Sequence, residues 1–68
     1  MTVNITLNGE ARHLNGELSL RDLLSSLGLD PRKIAVERNL EIVPRGTFEE
    51  IIVQEGDRLE IVHFVGGG

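Results

Sequence analysis

The chain has 68 residues, a formal net charge of −4 and no cysteine. This length allows one small domain, which buries only about 60% of the surface that its unfolded chain exposes. Without cysteine, neither a disulfide nor a cysteine-based zinc site is possible, so packing alone must hold the fold. Lys33 is the single lysine, and tryptophan and tyrosine are absent. The basic stripe with stacking aromatics that is typical of nucleic-acid-binding proteins is therefore missing.

No segment has the pattern of a signal peptide, and no apolar run approaches the length needed to span a bilayer. We therefore expect a cytoplasmic protein with no membrane partner and no nucleic-acid partner, and a monomer when it is free.

The first half of the chain predicts a hairpin followed by a helix. Thr2 to Leu7 alternates between apolar and polar residues, which indicates a half-buried strand. Asn8-Gly9 is a strong signal for a tight hairpin turn, and Arg12 to Leu14 is the weaker return strand. Ser19 then begins a helix by accepting a hydrogen bond from the Asp22 amide. The helix has one apolar stripe, formed by Leu20, Leu23, Leu24 and Leu27, and it ends at Gly28 before Pro31.

The second half predicts four further extended segments. Ile34 to Arg38 is a strand, and Asn39-Leu40 is a tight turn whose type is open because leucine poorly tolerates positive φ. Pro44 ends a short strand over Glu41 to Val43, which indicates a sheet edge. Two smaller elements come next: a capping box that predicts one helical turn over Thr47 to Glu50, and an extended piece over Ile51 to Val53. The last strand runs from Arg58 to Val65.

This order of elements fits an α+β fold of the β-grasp (ubiquitin-like) type. It predicts a mixed sheet of four to five strands with one main helix on one face. In that arrangement the last strand lies centrally, parallel to the first, and its end projects from the body. We therefore expect a domain over residues 1–65 and a flexible glycine tail over residues 66–68.

The last strand has apolar residues on both of its faces. If Leu59 and Ile61 pack under the helix, Val62 and Phe64 lie on the other face, which one helix cannot cover. An exposed apolar patch beside a free tail is a plausible docking surface, and we assign it to Val62, Phe64 and Val65. Shielding of Phe64 by neighbouring strands is an equally open alternative.

The sequence closes with Gly66-Gly67-Gly68. These glycines are either a frayed terminus or a functional arm that presents the carboxylate of Gly68. Residues 65–68 reach roughly 13 Å when extended, and glycines without Cβ can thread a narrow channel. A carboxylate is a poor electrophile until its oxygen becomes a leaving group, as in an acyl adenylate. That step needs ATP and Mg²⁺ held by a partner, because the sequence has no phosphate-binding loop.

No catalytic constellation competes with this interpretation. His13 and His63 lie on separate strands without a third ligand, so a metal site is not expected. Ser19 is better explained as a helix cap than as a nucleophile. We therefore expect a protein that binds no cofactor and is not itself a catalyst.

The chain resembles the thiamine-biosynthesis sulfur carrier family (ThiS) over nearly its whole length. The matching segments are Leu7-Asn8-Gly9-Glu10, the helix over 20–27, Ala35-Val36-Glu37-Arg38-Asn39, Glu41-Ile42-Val43-Pro44-Arg45, and Gly56-Asp57-Arg58 with Leu59 through Gly68. The chain departs from the family pattern at Leu40, where many members carry glycine. The resemblance therefore leaves the type of that turn open.

The resemblance implies a sulfur carrier for the thiazole moiety of thiamine. A ThiF-type enzyme would adenylate Gly68 with ATP and Mg²⁺. A sulfur donor, such as a cysteine desulfurase relay, would convert the adenylate to a thiocarboxylate, and thiazole synthase (ThiG) would receive the sulfur. Gly66 and Gly67 would be the threading arm. Three alternatives stay open: the small subunit of molybdopterin synthase, a ubiquitin-like protein modifier, and a plain structural domain.

Overall fold

The structure is a computed structural model that describes residues 1–64, in which one helix lies against one face of a mixed sheet. The strands are β1 (Val3–Leu7), β2 (Glu10–Leu14), β3 (Leu18–Ser19), β4 (Ile34–Arg38), β5 (Glu41–Ile42), β6 (Ile52–Val53) and β7 (Arg58–His63). The helix is α1 (Leu20–Ser26), and two 3₁₀ helices cover Pro31–Lys33 and Arg45–Thr47. Five strands form the main sheet in the order β2-β1-β7-β4-β5, and β3 pairs separately with β6.

The central position of β7 confirms the predicted β-grasp fold. This strand is parallel to β1 and antiparallel to β4, as the order of elements predicted. It ends at His63, and Phe64 follows it as the last described residue. The strand was predicted to run to Val65, but Phe64 is not part of it. Val65 and the glycine tail over 66–68 lie outside the described residues. The division into a domain over 1–65 and a tail therefore stays a prediction.

The hairpin turn between β1 and β2 also contacts the middle of β7. Asn8 and Gly9 have φ values of 49° and 83°, the left-handed conformation that a two-residue hairpin turn requires. The Asn8 side chain accepts a hydrogen bond from the Ile61 N–H at 2.7 Å and donates to the Ile61 carbonyl at 3.3 Å. The amide of Asn8 thus replaces a strand residue and continues the pairing of β7 beyond the end of β1.

The core lies between α1 and one face of the main sheet. The Ser19 hydroxyl accepts a hydrogen bond from the Asp22 N–H at 3.0 Å, which confirms the predicted cap. Gly28 ends the helix with φ of 74°. Leu27, the last position of the predicted stripe, is only partly buried. The buried apolar side chains are Val3, Ile5, Leu7, Leu20, Leu23, Leu24, Ile34, Val36, Val43, Phe48, Val53, Leu59 and Ile61.

The helical turn predicted over Thr47 to Glu50 is present, because the Thr47 carbonyl accepts hydrogen bonds from the Glu50 N–H at 2.9 Å and the Ile51 N–H at 3.2 Å. The predicted cap is wrong, because the Thr47 hydroxyl instead donates to the Pro44 carbonyl at 2.7 Å. The 3₁₀ helix Arg45–Thr47 leads into this turn. The pairing of β3 with β6 was not anticipated, since each strand has two residues and depends on a partner far away in sequence. The edge position predicted for β5 is confirmed.

The turn after β4 is left-handed at both of its residues. Asn39 has φ of 52° and Leu40 has φ of 72°, a conformation that is strained for a bulky side chain. The Asn39 side chain stabilises the turn by accepting a hydrogen bond from the Arg58 N–H at 2.9 Å. The sequence left this turn type open, and the structure shows a turn with positive φ at Leu40, which leucine tolerates poorly.

None of the helices within residues 1–64 is long and apolar enough to cross a membrane.

Candidate functional site

The sheet face opposite α1 carries exposed apolar side chains near the end of β7. Val62 is 61% exposed and Ile42 is 69% exposed. Val62 lies directly opposite Ala35, and Ile42 lies opposite Glu37, two residues along β4 from Ala35. Directly opposed residues share a face, as do residues two apart on a strand. We call Ala35, Ile42 and Val62 the open-face patch.

The exposure of Val62 agrees with the face that strand alternation predicted for it. Ala35 and Ile42 were not among the predicted docking residues, because their place beside Val62 depends on the register of β4 against two other strands. Ile42 could have been identified from the sequence, because it is an apolar residue on a strand that Pro44 ends at a sheet edge. The docking role itself stays a prediction.

Phe64 follows β7 and is held on two sides. Its N–H donates to the Lys33 carbonyl at 3.0 Å. The guanidinium carbon of Arg45 lies 5.9 Å from the centre of its ring, within the range of a cation–π contact. The side chain is 52% exposed, so neighbouring strands do not shield it. Phe64 therefore presents an accessible aromatic surface in a fixed place.

Two carboxylates lie beside the open-face patch. Glu37 on β4 is directly opposite Glu60 on β7, and like charges in this position disfavour the pairing of two strands. The ion pairs within residues 1–64 are Arg21–Glu49, Arg32–Asp30 and Arg38–Asp57, and they leave this carboxylate pair without a cation. The surface around Val62 is thus both apolar and acidic.

A buried carboxylate fixes the start of β7, at the other end of the strand. Asp57 is 6% exposed and accepts hydrogen bonds from Arg38 Nε at 2.9 Å, Asn39 Nδ2 at 3.2 Å and the Gln54 N–H at 2.9 Å. Burial alone would raise the pKa of Asp57, but these hydrogen bonds and the charge of Arg38 outweigh it and lower the pKa. We call Asp57, Arg38, Asn39 and Gln54 the Asp57 network. The Asp57 network joins the turn after β4 to the turn before β7. The segments around Arg38 and Asp57, which carry part of the family resemblance, therefore have a structural role.

The remaining predicted site residues lie apart from this surface or beyond the described chain. Val65 and the glycines at 66, 67 and 68 are outside the described residues. His13 hydrogen-bonds Asn4 through its Nδ1, whereas His63 is exposed and lies opposite Ile34 in the sheet. Residues 1–64 contain no group of three or more histidine, aspartate or glutamate side chains that could hold a metal ion.

Comparison with known proteins identifies the family. The ThiS family model matches residues 5–68. A crystal structure of the thiamine biosynthesis protein (ThiS) from Geobacter metallireducens superimposes with a TM-score of 0.84 at 35% identity, covering 97% of this chain and 100% of that one. The sulfur carrier protein ThiS of Bacillus subtilis is 44% identical over 50 residues, which are 74% of this chain and 76% of that protein.

Similarity also extends to part of a larger protein. The thiazole synthase of Paramagnetospirillum magneticum is 48% identical over 66 residues, which are 97% of this chain but 20% of that protein. The thiazole synthase of Magnetococcus marinus is 47% identical over the same length, again 20% of that protein. The chain therefore spans about a fifth of the length of these relatives. The match of the family model over residues 5–68, together with the shared fold, shows that the chain belongs to the ThiS family.

Proposed function

We propose that this chain is the sulfur carrier for the thiazole moiety of thiamine. The observation that carries the proposal is the ThiS family match, which runs through the terminal glycines to Gly68. The printed name of the Bacillus relative, a sulfur carrier protein, supports it. The likeness to a segment of two thiazole synthases supports thiazole synthase (ThiG) as the protein that receives the sulfur.

The chemistry takes place at the carboxylate of Gly68. One carboxylate oxygen attacks the α-phosphorus of ATP on a ThiF-type enzyme, pyrophosphate leaves, and a mixed anhydride with AMP forms. A sulfide-level nucleophile then attacks the carbonyl carbon, AMP leaves, and a thiocarboxylate forms. With a persulfide donor such as a cysteine desulfurase relay, the same attack gives an acyl disulfide, and a thiol must then reduce its S–S bond to release the thiocarboxylate. ATP and Mg²⁺ belong to the activating enzyme, so the carrier acts as a protein substrate and not as a catalyst.

The carrier contributes a docking surface and an arm. Val62 and Phe64 are exposed where β7 ends, and they form with Val65 the proposed docking residues. Gly66 and Gly67 form the arm that passes into the partner's active site, since glycine allows close approach of two backbones. Phe64 has a fixed position beside Lys33 and Arg45, which supports docking at this end of the molecule.

Intact mass spectrometry tests the proposal. The purified native protein is measured first, because the reaction needs a free carboxylate on Gly68. It is then incubated with a competent ThiF-type enzyme, ATP, Mg²⁺ and a sulfur source. Exchange of one oxygen for sulfur is expected at Gly68. Oxidation of Met1 gives a similar mass change, so the C-terminal peptide must be fragmented. An unmodified Gly68 beside a modified control carrier would contradict the proposal.

Gly67→Ala should slow adenylation and leave the fold intact. The added Cβ would lie where the proposed channel is narrowest, whereas the described fold ends three residues earlier. The measurement is ATP–pyrophosphate exchange, with thermal unfolding of the same sample as the control. An adenylation rate equal to that of the wild type would refute the steric role of the arm.

Val62→Asp should weaken docking on the activating enzyme. It places a charge on the open-face patch next to Glu37 and Glu60, and desolvation of this charge would oppose binding. The matched control is Leu40→Asp, since Leu40 is also an exposed apolar residue but lies at the β4–β5 turn. We expect KM for the carrier to rise with the first variant only. Equal KM values for the two variants would show that the docking surface lies elsewhere.

A further inference from the structure

Arg45 joins three parts of the chain near the end of β7. Its Nε donates to the Pro31 carbonyl at 2.9 Å and its Nη2 donates to the Ile34 carbonyl at 3.1 Å. Its guanidinium also lies over the ring of Phe64, with 5.9 Å between its central carbon and the ring centre. One side chain thus connects the first 3₁₀ helix, the start of β4 and the residue that follows β7.

The Ile34 carbonyl lies on an edge of β4 where residues 1–64 supply no backbone donor. The Val43 N–H donates to the Val36 carbonyl at 2.9 Å, so the carbonyl two residues earlier, on Ile34, faces the same edge. In an antiparallel ladder the next backbone donor would be the Arg45 N–H, two residues after Val43, but the chain leaves the sheet there and enters the 3₁₀ helix Arg45–Thr47. The Arg45 side chain takes over as the donor. Because two hydrogen bonds fix the planar guanidinium, they also fix the surface that the Phe64 ring contacts.

Phe64 depends on this contact for the position of its ring. Its backbone is held by the hydrogen bond to Lys33, but its side chain is not part of the buried core. An exposed aromatic side chain without such a contact samples several rotamers, and a partner that binds it must immobilise it. Immobilisation of one side chain on binding weakens affinity by about two- to tenfold.

We propose that Arg45 is a positioning residue that holds Phe64, from which residues 65–68 continue, in the orientation that the activating enzyme binds. This inference rests on the proposed function. It assigns Arg45 no contact with ATP or with Gly68, because its effect passes through Phe64. The inference predicts that loss of the Arg45 side chain changes the apparent affinity of the activating enzyme for the carrier and does not change the rate of the chemical step.

A double-mutant cycle tests the inference by ATP–pyrophosphate exchange at varied carrier concentration. Arg45→Ala should raise KM for the carrier by about two- to tenfold and leave kcat within about twofold. The matched control is Arg32→Ala, which removes the same charge from an exposed arginine paired with Asp30. In a Phe64→Leu background, Arg45→Ala should add little, because the two side chains act as one unit. A KM equal to that of Arg32→Ala, or an undiminished effect in the Phe64→Leu background, would overturn the inference.

NMR of the free protein gives a second readout that does not depend on any enzyme. The ring resonances of Phe64 should move toward random-coil values in Arg45→Ala and stay in place in Arg32→Ala. Unchanged ring resonances in both variants would overturn the positioning role. Failure of the wild type to support exchange, with another ThiS-family carrier active in the same assay, would contradict the proposed function instead. The NMR comparison would then decide the role of Arg45 by itself.

Discussion

Leu24→Ala is expected to lower the free energy of unfolding by about 2–5 kcal/mol. Leu24 is fully buried, in the stripe of α1 that packs on the sheet. The substitution removes apolar contacts and leaves a cavity that a close-packed core closes only in part. Stabilities of about 0.05–0.15 kcal/mol per residue are typical of small domains, so this loss is a large share of what the domain has.

Urea unfolding followed by far-ultraviolet circular dichroism measures the effect, because the chain has no tryptophan or tyrosine to serve as a fluorescent probe. Ser25→Ala is the matched control, since Ser25 is the next residue of α1 and is exposed. It should change stability by less than about 0.5 kcal/mol. A loss of equal size in the two variants would mean that α1 does not supply the core as described.

Asp57→Asn is expected to destabilise the protein by about 1–3 kcal/mol near pH 7 and to have little effect in acid. The change removes the negative charge of the carboxylate to which Arg38, Asn39 and the Gln54 N–H donate hydrogen bonds, and it hardly alters the side-chain volume. The asparagine side chain would also present to Arg38 either its NH₂ group, which is a donor, or its amide oxygen, which is a weaker acceptor than a carboxylate oxygen. The Asp57 network would then hold the start of β7 less firmly.

The pH dependence follows from the lowered pKa of Asp57 in the folded state. A carboxylate with a lowered pKa stabilises the fold fully above its unfolded pKa of about 3.9. That stabilisation is lost as the pH falls through the pKa of the folded state. The difference in stability between wild type and Asp57→Asn should therefore be constant at neutral pH and shrink below about pH 4.

Asp30→Asn provides the control for this measurement. The pKa of Asp30 is also lowered, through its hydrogen bonds with Arg32, but that pair is exposed and solvent screens it. Urea titrations of the variants at several pH values give the comparison. A difference between wild type and Asp57→Asn that stays constant down to about pH 2, below the unfolded pKa, would show that the carboxylate charge is not what the network uses.

Local signals in the sequence were sufficient for much of the fold. Asn8-Gly9 and the Ser19 cap specify their conformations through residues that are neighbours in sequence, and both predictions are confirmed. The β3–β6 pair was missed because two residues carry no periodicity. Leu40 was undecided because the contacts of Asn39 with Arg58 and Asp57, which hold the turn in its left-handed form, are tertiary.

The candidate site also combines features that the sequence predicts with features that depend on tertiary contacts. Strand alternation and the single helix were enough to predict an exposed Val62. The fixed position of Phe64 was not predictable, because Arg45 reaches it from another part of the chain and is held by carbonyls of Pro31 and Ile34. The acidic pair of Glu37 and Glu60 likewise requires the register of β4 against β7.

The central position of β7 determines how the fold responds to a pull on the chain beyond Phe64. Hydrogen bonds in a sheet run across the strands, so tension along β7 loads its bonds to β1, β4 and the Asn8 side chain in shear. These bonds share the load, whereas a peeled edge strand breaks its bonds one at a time. A partner that draws in the end of this chain would therefore meet a mechanically stiff anchor, and the domain would stay folded while its end is held under tension.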